Sequence, residues 1–218
     1  GLWWKETEHQ LGREACIAVE REAWDRWFPL QMSRLGKVLG FEVQDGVPKT
    51  LIDKSETELK SLLEAISVNW LAQDGLWFQA VENRCDLATA QRANDTAWSR
   101  FSPFEVGSIK SILNLPDDGG LDALEQAMHY RLYAFINRYT IERPNARTLI
   151  LHMNDCRVQS ARKRRGLADY PCKSGGTVEY TTFAQAIDPR IVTRCIGCAP
   201  DPHPDEWYCA WEFTLPRE

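Results

Sequence analysis

No run of apolar residues in this 218-residue chain approaches the roughly 20 needed to cross a bilayer as a helix. A basic start followed by an apolar centre and a small-residue cleavage site is also missing, so nothing reads as a secretory signal. These two lacks set the expectation of a cytoplasmic protein with no membrane partner. Positive charge is in deficit: 26 Lys and Arg stand against 31 Asp and Glu, which argues against a dedicated nucleic-acid binder. The one basic run, ARKRRG at Ala161–Gly166, is short and reads as a solvated helix face. Cysteine is sparse and odd in number, with seven residues of which two form CxxC. That usage suits an intracellular metal site better than a secreted disulfide framework. What the chain does have, 44% hydrophobic residues and 26% charged ones, is the balance of a folded globular protein.

The first half repeats itself. Shifted by 74 positions and without a gap, Gly1–Phe41 lies over Gly75–Leu115 with nine identities. GLWWKETE (Gly1–Glu8) matches GLWFQAVE (Gly75–Glu82), and AWDRWFP (Ala23–Pro29) matches AWSRFSP (Ala97–Pro103). Two aligned tryptophan pairs point to duplication. Leu59, Leu62, Leu63, Ile66, Trp70, Leu71, Trp77 and Phe78 recur at three-to-four spacing, the helical period, and Ser55 with Glu58 offers a capping box. Ser102 is a candidate cap for a second stripe, and Gly120–Ile136 (GLDALEQAMHYRLYAFI) is expected as a third helix. Trp3, Trp24, Trp77 and Trp98 stand at repeat-equivalent places and are expected to be packing anchors. A helix precedes Gly75 and nothing precedes Gly1, so the first repeat is expected to be truncated at its N-terminus.

After Arg138–Ala146, where Pro144 interrupts the helical pattern, the chain changes character. TLILHMN (Thr148–Asn154) reads as a strand, DCRVQSARKRRGL as a helix begun by Asp155, and KSGGTVEYTTFAQAID as a turn followed by a short helix. RIVTRCIGC and EWYCAWEFTL read as strands, the second with Trp207, Cys209, Trp211 and Phe213 on one face. The expected fold is therefore α+β. Residues 1–50 form a first helical repeat and 55–140 a second. Residues 145–218 form a small antiparallel sheet on helices, packed with the second repeat as one domain and carrying a four-cysteine metal site.

Cys16 and Cys85 fall within the repeats and read as ordinary small residues. In TRCIGCAPDPHPDEWYC, Cys195 and Cys198 can present two sulfurs to one ion, and Cys209 leads back along the next strand. A structural zinc takes four ligands, so the fourth must be Cys172, Cys156 or His203. A redox pair is disfavoured because a proline-rich loop, not a helix, follows the CxxC. An iron–sulfur cluster accepts the same ligand set and stays open beside Zn2+.

The spacing carries a resemblance. Cys172 is followed after 22 residues by Cys195, after two more by Cys198 and after ten more by Cys209. This resembles the zinc site of the 4-vinyl-reductase-type small-molecule-binding domains, where an acidic ligand stands in the place of Cys195 and the last loop is shorter. The segment CRVQSARKRRGLADYPC is similar to the aminothiazoline-carboxylate hydrolase-like group, and to an uncharacterised bacterial family that carries DGLWF helices. The resemblance spans roughly Asn154–Leu215 and implies metal ligands Cys172, Cys195, Cys198 and Cys209.

Three functions follow as alternatives. The first is a small-molecule binding or sensing domain for an aromatic or heterocyclic ligand, with a closed, structural zinc. The second is a hydrolase of a thiazoline-type or C–N bond, with Cys156 as nucleophile and Asn154, Arg157 and Gln159 beside the ligand. The third is an assembly protein, for which a homodimer is one form.

Overall fold

The structure, a computed structural model, describes residues 1–216 and is mixed α+β, with eight α-helices and two antiparallel sheets among those residues. It divides into two compact units, Gly1–Leu63 and Glu64–Glu218.

In the first unit α1 (Leu2–Leu11) and α2 (Arg13–Leu39) meet at Gly12, whose φ of 83° lets the chain turn without a Cβ penalty. Cys16 is buried where they pack, its thiol 3.4 Å from the Trp4 carbonyl. β1 (Val43–Gln44) and β2 (Val47–Pro48) follow as a hairpin that turns through Asp45 and Gly46, both at positive φ. Asp-Gly is the usual signal for such a turn, and the helical reading of residues 1–50 passes over it. A short helix, α3 (Lys49–Ile52), closes the segment.

α4 (Glu56–Arg84) begins with the capping box expected from the sequence. Ser55 N–H donates to Glu58 Oε2 at 2.9 Å, and Glu58 N–H donates to Ser55 Oγ at 3.3 Å. α5 (Leu87–Leu113) starts at Asp86, whose carboxylate accepts from Thr89 N–H at 2.6 Å. α2 and α5 begin and end 74 residues apart, the offset of the sequence match, and each carries a proline inside (Pro29, Pro103). Ser102 is no cap: it lies inside α5 and is fully buried. Of the four tryptophans expected as anchors, Trp98 alone is buried. Trp3, Trp24 and Trp77 are exposed.

The larger sheet holds β3 (Arg138–Asn145), β4 (Thr148–Asp155), β5 (Val192–Cys198) and β6 (Cys209–Thr214) in the order β3-β4-β6-β5, all antiparallel. β3 is the strand that the broken helical pattern concealed. It is an edge strand, and Pro144 falls at the irregularity between Glu142 and Asn145, where a residue without N–H is tolerated. The expected helix over 120–136 divides into α6 (Gly120–Met128) and a 3-10 turn (Leu132–Phe135). The break has a cause: Arg131 takes an extended backbone (φ −66°, ψ 148°), and its guanidinium reaches Glu105 and Glu179 in the core. α7 (Arg157–Arg164) starts from Cys156, not Asp155, whose carboxylate instead accepts from Ser160 Oγ.

α8 (Lys173–Ile187) runs straight through Gly175–Gly176, which the sequence suggests as a turn. A Cβ on Gly176 would stand 2.7 Å from Cζ2 of the fully buried Trp211. The glycine is there so that helix and sheet can approach. α6 and α8 lie on the sheet and α5 on α8, around a core that includes Leu124, Phe183, Trp211 and Phe213.

Candidate functional site

A cavity of about 470 Å³ lies inside the second unit, lined from α4, α5, α7, α8 and the sheet. That volume is in the range of small-molecule sites. Its apolar walls include Phe78, Trp98, Tyr133, Tyr180 and Trp211. Several of these brace one another: Trp98 stacks on Tyr133 with centroids 5.5 Å apart, and Tyr180 stacks on Trp211 at 4.9 Å. Packed rings of this kind hold a cavity open because their rotamers are locked by neighbours. The Trp211 indole N–H is buried and has no acceptor among the described residues.

Carboxylates line the same space. Glu179, from α8, is buried and ion-pairs with Arg131 Nη1 at 2.7 Å. Arg131 Nε also donates to Glu105 Oε2 at 3.0 Å, so one guanidinium serves two acids. Burial pushes the Glu179 carboxyl up to about 7 against the pull of Arg131, and the Glu105 charge adds to the rise. Asp74, from α4, is partly buried and has no hydrogen-bond or ion-pair partner among the described residues. Desolvation holds its carboxyl above the usual range. Neither acid is marked by a sequence motif. Asp74 does stand directly before the repeated Gly-Leu-Trp, and Glu179 lies on the helix taken in part for a turn.

One end of the cavity is made of thiols: Cys156, Cys172, Cys198 and Cys209 all line it. Cys198 and Cys209 are opposite each other on β5 and β6, and Cys172 precedes α8. Cys172 Sγ and Cys198 Sγ are 3.5 Å apart. The Cys198 thiol hydrogen-bonds to Cys172 and also interacts with Cys209, which holds its proton on. The same contact brings Cys172 below its usual value. Gln159 Nε2 donates to Cys172 Sγ at 3.5 Å. Cys195 is partly buried and does not line the cavity, though it lies within electrostatic reach of Cys172 and Cys209. Among the described residues, no group of three or more His, Cys, Asp or Glu side chains is arranged as a ready metal cage. The structure thus gathers the sulfurs without the closed four-cysteine centre that the sequence suggests.

The remaining candidates separate clearly. Burial pushes the Cys156 thiol up to about 12, despite the amides of Gln159 and Val158 that favour its anion. A thiol so held is protonated at neutral pH and a poor nucleophile. His152 lies elsewhere, 3.7 Å from Glu142 and against Trp207. Gln159 is a brace within the wall: its Nε2 donates to the Tyr170 carbonyl at 2.9 Å and its Oε1 accepts from Tyr170 N–H at 2.9 Å. Asn154 Nδ2 donates to the Glu206 carbonyl at 3.2 Å, tying down the loop before β6, and Arg157 is exposed. Both ring nitrogens of His203 meet oxygen, Nδ1 at Pro204 and Nε2 at Asp169, which leaves no free lone pair for a metal. Lys173 ties the same loop to the start of α8 through Asp201, at 2.6 Å.

No helix among the described residues is long and apolar enough to cross a membrane. Residues 50–215 match the model of a family described as "Family of unknown function (DUF6125)". No curated protein and no solved structure matches the chain.

Proposed function

The chain belongs to that family of unknown function, and from the geometry of its second unit we propose a small-molecule-binding domain for an aromatic or heterocyclic compound. The cavity of about 470 Å³ carries this reading: it is walled by interlocked rings, with carboxylates such as Asp74 and Glu179 set among them, a make-up that can orient a small ligand. The same proposal gives the domain a structural zinc held by Cys172, Cys195, Cys198 and Cys209. The donor chemistry fits. Thiolates about 2.3 Å from one tetrahedral zinc stand roughly 3.8 Å from each other, close to the 3.5 Å between Cys172 and Cys198. Gln159 would then act on a ligand sulfur from behind, orienting it by a hydrogen bond. Zinc in such a site supplies folding free energy and no chemistry, since sulfur fills every coordination position. A hydrolase using Cys156 has less support, because that thiol is kept protonated by burial.

Gly75 provides the test. It lines the cavity from α4, and a Cβ there meets nothing within 4 Å, so a large side chain can enter open space. Indole, quinoline and tryptamine, two neutral compounds and a cation, are to be screened by thermal shift against the wild-type protein and Gly75→Phe. At least one is expected to raise the wild-type melting temperature in a concentration-dependent way and to leave the variant unmoved. No shift with any of them, or an equal shift in both proteins, would overturn the binding reading.

A further inference from the structure

We infer that the cavity selects a cation: an aromatic or heterocyclic ligand with a protonated amine or amidine nitrogen, received between Asp74 and Glu179 and the rings beside them. The inference rests on the binding reading above and names the class of ligand.

Charge distribution carries it. Glu179 and Glu105 share the single guanidinium of Arg131, so the buried polar cluster has one acid more than it has bases. Asp74 adds a second uncompensated carboxylate, lining the same space with no hydrogen-bond or ion-pair partner among the described residues. A carboxylate partly stripped of water and left unpaired is destabilised, and an incoming cation relieves it. The cations of the lining, Arg162 and Arg165, come from the end of α7. Arg162 is held by its Nε on the Ala168 carbonyl at 2.7 Å, with its charge intact, and Arg165 is exposed, where solvent screens it. Trp98, Tyr133 and Phe78 present ring faces and edges to the same volume, and aromatic rings next to a carboxylate are the usual surroundings of a bound ammonium group. An anionic ligand would meet three acids there, Asp74, Glu82 and Glu179, and a neutral one would leave Asp74 unpaired.

Three compounds on one ring system test this by calorimetry at neutral pH: tryptamine, a cation; tryptophol, neutral; and indole-3-acetate, an anion. Tryptamine is expected to bind at least about tenfold more tightly than tryptophol, with indole-3-acetate the weakest. Asp74→Asn keeps the shape and removes the charge. It is expected to cut tryptamine affinity about tenfold while leaving tryptophol within about twofold, and Asp74→Glu is expected to restore most of the preference. Equal binding of tryptamine and tryptophol, or an unchanged ratio in Asp74→Asn, overturns cation selection and leaves the binding cavity standing. If none of the three binds at millimolar concentration, the cavity reading falls and cation selection falls with it.

Discussion

Cys198→Ser is expected to lose the metal and most of the stability of the second unit. Cys198 is the most buried of the four proposed ligands, it ends β5 opposite Cys209 on β6, and its thiol hydrogen-bonds to two of the others. Apparent zinc-binding free energies in small structural sites reach about 10–16 kcal/mol. A native domain has a margin of only about 5–15 kcal/mol, so losing even part of the metal contribution is decisive. Elemental analysis of wild-type protein is expected to give about one zinc per chain and a colourless solution. Brown protein would replace zinc by an iron–sulfur cluster. The exposed Cys85 is the control, and Cys85→Ser should change neither metal content nor melting temperature. Comparing Cys195→Ser with Cys156→Ser completes the ligand set. If Cys156→Ser releases the metal and Cys195→Ser keeps it, the fourth ligand comes from the start of α7 and not from β5. A folded, metal-replete Cys198→Ser protein would remove the metal centre from this account.

The second large effect belongs to the buried ion cluster. Arg131→Met leaves Glu105 and Glu179 without their common partner inside the core. Breaking a buried pair by deleting one member costs about 3–5 kcal/mol, because the survivors remain dehydrated and unpaired. The guanidinium also lies 4.3 Å from the centre of the Phe183 ring, and that packing goes with it. Urea denaturation should show the loss directly. A cost below about 1 kcal/mol would mean that the cluster is open to water.

The pH profile gives a separate reading of the same cluster. Glu179 is raised from 4.5 to about 7 in the folded protein, so the fold prefers its protonated form. Its contribution to stability is fully present below pH 4.5 and is lost as pH rises through about 7. Stability measured at pH 5 is therefore expected to exceed that at pH 8, and Glu179→Gln is expected to flatten the difference. A profile identical in wild type and variant would assign the slope to other groups.

How much of this was legible beforehand differs between elements. The capping box at Ser55–Glu58, the helical repeat and the strands at Thr148 and Cys209 follow from local pattern, and local hydrogen bonds and periodicity are what form them. The helix over 120–136 failed as an expectation because its apolar period was real but Arg131 was needed elsewhere. A side chain that must reach Glu105, 26 residues earlier, and Glu179, later in the chain, overrides the local preference. The pair Gly175–Gly176 misled for a related reason. Glycine signals a turn only when nothing else needs the missing Cβ, and here Trp211 does.

By itself, then, the sequence determined the α+β class and the repeat at 74 residues, because period and spacing are properties of neighbouring residues; of the four thiols it grouped, Cys172, Cys198 and Cys209 line one cavity, where Cys156 joins them and Cys195 does not. Only the tertiary structure decided that Asp74 and Glu179 face one cavity, that Asn154 and Arg157 stand apart from it, and that Cys156 is a partly buried thiol in its wall. Burial and the sharing of one guanidinium by two acids arise from residues far apart in the chain, and no local pattern encodes them.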